Sequence, residues 1–303
     1  MMAAMNEHGQ RPNLDREQAQ RELDALWRCP PGTCRLSRSA GGATGQTGAL
    51  DRNGQRWFFK WLPDGDALAA EADGLRALAP AIRVPEVVHQ GPLAGGHVLI
   101  LEWLDTRPLG DREWARFGAA LRQLHGVTGK RFGHHRDNWI GATPQCNRRE
   151  DDWATFFVHR RLAPQRRLAL ERGLPAHTAD AVEAVMARVP AWLNGLEIRP
   201  ALLHGDLWQG NLAALADGTP VVYDPAVYHG HAETDLAMLT LFGSVPEAFH
   251  RAYGHNPREP EFQHRARLYN LYHLLNHHNL FGAPYTRAVQ DTAEALLRNR
   301  LRS

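Results

Sequence analysis

Three residues stand at a spacing that can move a phosphoryl group. The segment His204-Gly205-Asp206-Leu207-Trp208-Gln209-Gly210-Asn211 places an amide five positions after a carboxylate, and Val221-Val222-Tyr223-Asp224 ends an apolar strand on a second carboxylate. One carboxylate, Asp206, can orient an attacking hydroxyl and accept its proton. The amide oxygen of Asn211 and the carboxylate of Asp224 are hard oxygen donors, suited to a cation that neutralises phosphate charge. A lone Asp-x4-Asn is a common loop accident. The apolar strand before it, the glycine at 205 and the second strand-end aspartate together favour chemistry. His204 reads as a residue that holds the loop, and Glu233 and Asp235 read as acceptors for loop N–H groups.

A second group of residues supplies the complementary half. Lys60 ends Trp57-Phe58-Phe59-Lys60 and is one of only two lysines, with Lys130, in a chain that otherwise uses arginine. A strand lysine after a glycine-rich turn can pair with nucleotide phosphates, and Glu71 on the next expected helix is its natural anionic partner, with Asp73 close by. Ser39-Ala40-Gly41-Gly42-Ala43-Thr44-Gly45 is that turn, and Gly41 and Gly42 would let main-chain N–H groups approach phosphate. It fits neither G-x-G-x-x-G nor G-x4-G-K-[ST], so dinucleotide-binding and Walker readings fail. Val98–Leu104 suits a hinge in which the Glu102 carbonyl and the Leu104 N–H, flanking Trp103, bind adenine through the main chain, with Leu101 behind it.

Elements able to position these groups follow from the patterning. Asp15 caps an amphipathic helix over 15–28, which Pro30-Pro31 stops. Glycine-punctuated strands follow, with Asp51-Arg52-Asn53-Gly54 as a hairpin turn before a strand over 56–62. A helix is expected over 66–79, then strands over 84–89 and 97–103. Beyond residue 111 the pattern is helical, at 113–125, 153–172, 179–193 and from 246 to 302. One island of short apolar strands interrupts it, at 200–204, 211–214 and 220–223. The expectation is an α+β chain in two lobes: residues 1–104, a small antiparallel sheet with one helix that binds nucleotide, and residues 105–303, a larger, mainly helical catalytic and substrate-binding lobe.

Composition narrows the partners. The 303 residues carry 35 Lys+Arg against 33 Asp+Glu, a net charge of +2, which predicts neither a nucleic-acid nor a membrane-surface partner. Three cysteines at irregular spacing exclude a disulfide framework and a cysteine-only zinc site. No leader-like or membrane-spanning run is evident, so the expectation is a cytoplasmic protein. His273, His277 and His278 have the spacing of metal ligands, but no His-Glu-x-x-His accompanies them, and a zinc hydrolase is disfavoured.

These residues resemble the protein-kinase-like fold, in which Asp-x4-Asn is the catalytic loop, and within it the fructosamine kinase (ketosamine-3-kinase) family, a branch of the aminoglycoside-phosphotransferase-like kinases. Phe132-Gly133, Asp137-Asn138, Ile140-Gly141, Thr143-Pro144-Gln145, Trp153–Phe157 and Arg161-Leu162 look like that family's mid-chain block. Asp206-Leu207-Trp208 resembles its catalytic loop, and Asp224-Pro225-Ala226 with Glu233–Ala237 its metal segment. Leu275-Asn276-His277, Leu280-Phe281-Gly282 and Tyr285 are similar to its C-terminal helix. The resemblance implies ATP- and Mg²⁺-dependent phosphorylation of the 3-hydroxyl of a ketose joined to an amine, free or protein-bound. That step labilises the sugar and frees the amine, a deglycation repair. Trp208 then becomes a candidate wall for the sugar. No cysteine stands in the glycine-rich turn, so a thiol switch there is not expected. An aminoglycoside, choline or homoserine-like acceptor would use the same catalytic residues. A pseudokinase, retained only for binding, would be expected to have lost Lys60, Asp206 or Asp224, and all three are present.

Overall fold

The computed structural model describes residues 13–38, 46–193 and 195–298, so Gly41 and Gly42 lie outside the described residues. The chain divides into two compact units. One comprises the chain up to Ala77 with Val84–Asp105, the other Leu78–Arg83 with the chain from Thr106 onward. Leu78–Arg83 therefore keeps company with the second unit, where the Arg83 carbonyl accepts from the Val222 N–H at 3.0 Å.

In the first unit, helix α1 (Arg16–Leu26) is capped by the Asp15 carboxylate, which accepts from the Gln18 N–H at 3.0 Å. Strands β1 (Arg35–Arg38), β2 (Gln46–Arg52) and β3 (Gln55–Leu62), helix α2 (Asp66–Leu78), and strands β4 (Val87–Leu93) and β5 (Gly96–Glu102) follow. The sheet is antiparallel throughout, in the order β1-β2-β3-β5-β4. The β2–β3 turn is Asn53-Gly54, with φ of +50° and +78°, the left-handed pair that a two-residue hairpin demands. Strand alternation decides what each face does. Phe59 and Trp61 enter a core with Leu23 of α1, Leu50, Val98 and Ile100, which leaves Lys60 on the opposite face. Strand β4 begins three residues later than expected and runs on to Leu93, and a bulge at Val87–His89 shifts its register against β5.

The second unit is mainly helical. It contains α3 (Asp111–Gly126), the hairpin β6 (Asn138–Ile140) and β7 (Thr143–Gln145), α4 (Trp153–Phe156), α5 (Ala163–Glu171) and α6 (Ala176–Leu193). Next come β8 (Ala201–Leu203), the hairpin β9 (Leu212–Ala214) and β10 (Pro220–Val222), and β11 (Tyr228–Gly230), which pairs antiparallel with β8. Helices α7 (Glu233–Leu241), α8 (Glu247–Tyr253), α9 (Pro260–Phe281) and α10 (Thr286–Arg298) complete it. The helix expected over 153–172 is broken by a π-helical turn at Phe157–Leu162. From that turn the fully buried Arg161 lays its guanidinium 4.0 Å from the Tyr228 ring centroid and 4.6 Å from that of Phe156. It donates to Cys146 O at 2.7 Å and Asn147 Oδ1 at 2.6 Å. Its buried charge is thus met by π-faces and dipoles.

Candidate active site

Strand β8 is buried at all three positions and delivers His204, Gly205 and Asp206 at its end. Gly205 is obligatory there: its φ is +84°, and a Cβ would stand 2.1 Å from the Ala226 carbonyl oxygen. His204 is fully buried with both ring nitrogens engaged. Nδ1 accepts from the Asp206 N–H at 3.3 Å, and Nε2 therefore donates to Tyr223 O at 3.0 Å. Burial holds its pKa below the usual histidine value, so the neutral ring ties the loop to the strand end at Tyr223.

Beneath the loop lies Asp235, a fully buried carboxylate on α7. It accepts from the His204 N–H at 2.7 Å, the Gly205 N–H at 2.9 Å and His125 Nε2 at 3.2 Å, while His125 Nδ1 meets Tyr253 Oη at 2.7 Å. Burial alone would raise its pKa; the hydrogen bond and charge of His125, with the loop around His204 and Gly205, bring it below the usual carboxylate range. Asp235 thus takes the role the sequence suggested, and Glu233 does not. Glu233 forms a paired ion contact with Arg265, at 2.6 and 2.7 Å, away from the loop N–H groups.

Asp206 and Asn211 are brought together. Asn211 Nδ2 donates to the Asp206 carbonyl at 2.9 Å and to its Oδ2 at 3.3 Å. Both contacts use the amide nitrogen, which leaves the Asn211 side-chain oxygen as an acceptor. The Asp206 carboxyl is pushed up to about 7, first by burial and then by the nearby negative charge of Asp224. Asp224 follows β10 with a φ of +57°, an uncommon conformation for a non-glycine residue. The strands behind are stitched by the Tyr223 N–H to Asn211 O at 3.2 Å. The side-chain oxygens of Asn211 and Asp224 are hard donors, the kind a divalent cation prefers.

A buried amide network supports the segment after Asp224. Asn138 Nδ2 donates to Val227 O at 2.8 Å, and Gln145 Nε2 to Ala226 O at 3.2 Å and to Asn138 Oδ1 at 2.8 Å. Tyr272 Oη closes the set on Gln145 Oε1 at 2.5 Å. Asn138 and Gln145 fall in the mid-chain block noted in the sequence, and with Tyr272 of α9 they fix the backbone that follows Asp224. Trp208 is 40% exposed, and its six-membered ring lies against Gly210, where a Cβ would come within 2.2 Å of a ring atom.

In the first unit, Lys60 Nζ lies 2.7 Å from Glu71 Oε1, with both side chains 15% exposed. Glu102 ends β5. Its N–H donates to Glu86 O at 2.9 Å, and its carboxylate Oε2 accepts from the Glu86 N–H at 3.1 Å. The exposed Trp103 ring lies 5.3 Å from the Arg56 guanidinium and donates to Asp105 Oδ1 at 3.0 Å, while Leu104 is half-buried. Around His273 and His277, among the described residues, no group of three metal-binding side chains gathers. His277 Nδ1 instead donates to the His273 carbonyl at 2.8 Å, as a helix-internal contact.

A family model described as fructosamine kinase matches residues 32–299. A probable ketoamine kinase of Synechocystis sp. is 43% identical over 86% of this chain and 89% of its own length. A chloroplastic protein-ribulosamine 3-kinase of Arabidopsis thaliana is 37% identical over 75% of this chain and 71% of its own. Among solved structures, a protein assigned as a fructosamine-3-kinase from Haemophilus somnus superposes with a TM-score of 0.82 at 27% identity, covering 92% of this chain and 96% of that one. An aminoglycoside phosphotransferase shares the fold at a TM-score of 0.65 and 15% identity, covering 94% of this chain and 100% of its own.

Proposed function

The chain belongs to the fructosamine kinase family, and we propose that it transfers the γ-phosphoryl group of ATP to the 3-hydroxyl of a ketosamine, a ribulosamine, erythrulosamine or fructosamine. The observation that carries this reading is the loop in which Asn211 clamps Asp206 beside Asp224. Asp206 orients the 3-hydroxyl and takes its proton as the oxygen attacks phosphorus and the bond to ADP breaks. Asn211 holds the Asp206 carboxylate on that line. Bound magnesium would neutralise the charge of the transferring phosphate, held by Asp224 and the amide oxygen of Asn211. Lys60, kept in place by Glu71, binds the nucleotide phosphates. Gly41 and Gly42 offer main-chain N–H groups to them, and Glu102, Trp103 and Leu104 hold adenine through the backbone. In this assignment the chain up to residue 104 handles nucleotide and the chain from 105 handles the sugar and the proton.

Phosphorylation labilises the sugar–amine adduct and returns the free amine, which makes the activity a deglycation repair. Three unpaired cysteines suit a reducing, cytoplasmic setting. Trp208 forms the wall against which the sugar rests. Gly210→Ala would drive a Cβ into that ring. The expected result is a rise of about fivefold in KM for the ketosamine with KM for ATP unchanged, the scale of one lost aromatic contact. An equal change in both constants would remove Trp208 from the sugar site.

The direct test is ADP formation by the purified protein with ATP and Mg²⁺, offered ribulosyl-lysine, fructosyl-lysine, an aminoglycoside and choline in turn. Turnover is expected on a ketosamine and not on the other two. Turnover confined to the aminoglycoside or to choline would overturn the substrate while leaving the catalytic residues.

A further inference from the structure

Residues 128–149 depart from the charge balance of the chain. They carry Lys130, Arg131, Arg136, Arg148 and Arg149 against Asp137 alone, 5 − 1 = +4, twice the net +2 of all 303 residues. The fold of the second unit gathers that excess. Arg131, His134, His135, Arg148, Arg149 and Glu150 line an open cavity of about 510 Å³. The acids nearby are already engaged: Glu150 Oε1 accepts from Arg160 at 2.5 and 3.2 Å, Asp151 pairs with Arg131, and Asp137 accepts from the Asn147 N–H at 2.7 Å. Arg148 and Arg149 are exposed, and among the described residues neither guanidinium forms an ion pair or a hydrogen bond. The charge reaches inward. His229, whose ring lies 6.3 Å from that of His134, is held below the usual histidine pKa by burial and then by His134 and Arg149. The walls of the cavity are tied together. Phe132 and Glu150 exchange two backbone hydrogen bonds at 3.0 Å, and Gly133 and His229 exchange two at 2.9 Å, so the segments bearing Arg131 and Arg149 are fixed to each other and to β11.

We infer that this cavity binds an organic phosphate, a small metabolite carrying one or two phosphoryl groups, at a site that shares no residue with the catalytic loop. The kind of cation points to phosphate. A guanidinium is a planar fork that meets two phosphate oxygens at once, and three of them line the cavity. Arg131 is available despite its partner, because the Asp151 side chain is 82% exposed and a pair so wet holds weakly. The size points to an organic body. A bare phosphate would fill a fraction of the cavity, whose volume falls in the range of about 300–1,000 Å³ that small organic ligands occupy. Glu150, the one carboxylate on the lining, is compensated by Arg160 through Oε1, which leaves Oε2 to accept from a hydroxyl of that body. The basic stretch is also short. Glu150, Asp151 and Asp152 follow Arg149 directly, whereas a nucleic acid asks for positive charge that continues along the surface.

The experiment is calorimetric titration of the full chain with Mg²⁺ and a saturating non-hydrolysable ATP analogue, so that the nucleotide site is already filled. The probes are glycerol 2-phosphate, glucose 6-phosphate, inorganic phosphate and a single-stranded oligonucleotide. At least one of the two esters is expected to bind once per chain, no more weakly than inorganic phosphate. Arg148→Gln combined with Arg149→Gln is expected to weaken that binding at least about tenfold, the scale of losing two charge-assisted contacts, with the urea midpoint unchanged. Arg199→Gln combined with Arg287→Gln removes the same charge from exposed positions elsewhere and is expected to bind as wild type does. Equal losses in the two double variants would mean unspecific attraction and would overturn the inference. So would a wild type that binds neither ester once the nucleotide site is filled. Inorganic phosphate held more tightly than both esters, or an oligonucleotide held more tightly than either, would overturn the class of ligand. None of these outcomes touches the kinase reading, which stands or falls on turnover.

Discussion

Asp206→Asn is expected to lower kcat by at least about a thousandfold, the scale of losing a positioned proton acceptor, and to leave the protein folded and able to bind nucleotide. The substitution is nearly isosteric, and all but one of the contacts that shape the loop leave the Asp206 carboxylate unused, the exception being the 3.3 Å bond from Asn211 Nδ2 to Oδ2. The Asp235 carboxylate holds the His204 and Gly205 N–H groups, His204 Nδ1 accepts from the Asp206 backbone, and Asn211 keeps its 2.9 Å bond to the Asp206 carbonyl. The amide oxygen that replaces Oδ2 can still accept from Asn211. What disappears is the group proposed to take the hydroxyl proton. Nucleotide affinity should stay within about threefold, since Lys60 and Glu71 pair independently of the loop.

The same variant makes a stability prediction of opposite sign. Burial and the Asp224 charge push the Asp206 carboxyl up to about 7, so folding disfavours its charged form. An uncharged amide escapes that penalty. In metal-free buffer at pH 8, Asp206→Asn should be more stable than wild type by about 1–2 kcal/mol, once the partial solvent access of the site is allowed for. Single-turnover kinetics and a urea melt read the two effects separately. A variant with near-normal kcat would remove Asp206 from the chemistry. One that melts earlier than wild type would instead mean that the carboxylate holds the loop together.

What the sequence made legible is what depends on local spacing. Asp206, Asn211 and the strand that delivers them lie within a dozen residues, so pattern and turn chemistry suffice to assemble them. Lys60 and Glu71 sit on adjacent elements, and the alternation of Phe59 and Trp61 into the core dictates that Lys60 faces the other way. What escaped is held by distant partners. His125 looks like one more apolar-face residue at the end of α3, yet it meets Asp235, a partner 110 positions away. Strands β6, β7 and β11 are three residues each and exist only through pairing, which no periodicity of that length can announce. Helix α9 is buried on nearly every side and so carries no polar stripe. The π-helical turn that swings Arg161 inward has no compositional mark; its signal was the unexplained Arg161-Leu162 of the mid-chain block.

That unit's histidine-rich interior leads to the second large effect, loss of stability in mild acid. His273 is buried on α9 with neither ring nitrogen hydrogen-bonded, and its pKa falls to about 3, chiefly through burial. His231, hydrogen-bonded to Tyr269 Oη at 2.7 Å, is likewise lowered to about 3. An unfolded histidine titrates near 6.5. Between about pH 6.5 and 3 the unfolded chain therefore binds two protons that the folded chain refuses, and stability falls as pH falls, by about 1.4 kcal/mol per unit for each ring. Asp206 works the other way. Its carboxyl takes a proton near pH 7 in the folded state and near 3.8 in the unfolded one, which returns about one such increment. The three groups together leave a loss of about 3 kcal/mol between pH 6.5 and 4.5, a large share of the 5–15 kcal/mol typical of folded domains. Burial also lowers His204, His250, His264 and His278, and all four add to the loss in the same direction. Urea midpoints at pH 7.0, 5.5 and 4.5 measure it. His273→Phe, which fills the same space without a titrating ring, should flatten the slope by about 1.4 kcal/mol per unit below pH 6.5. Midpoints that do not move with pH, or a slope unaffected by His273→Phe, would show that these rings take up protons without unfolding the unit.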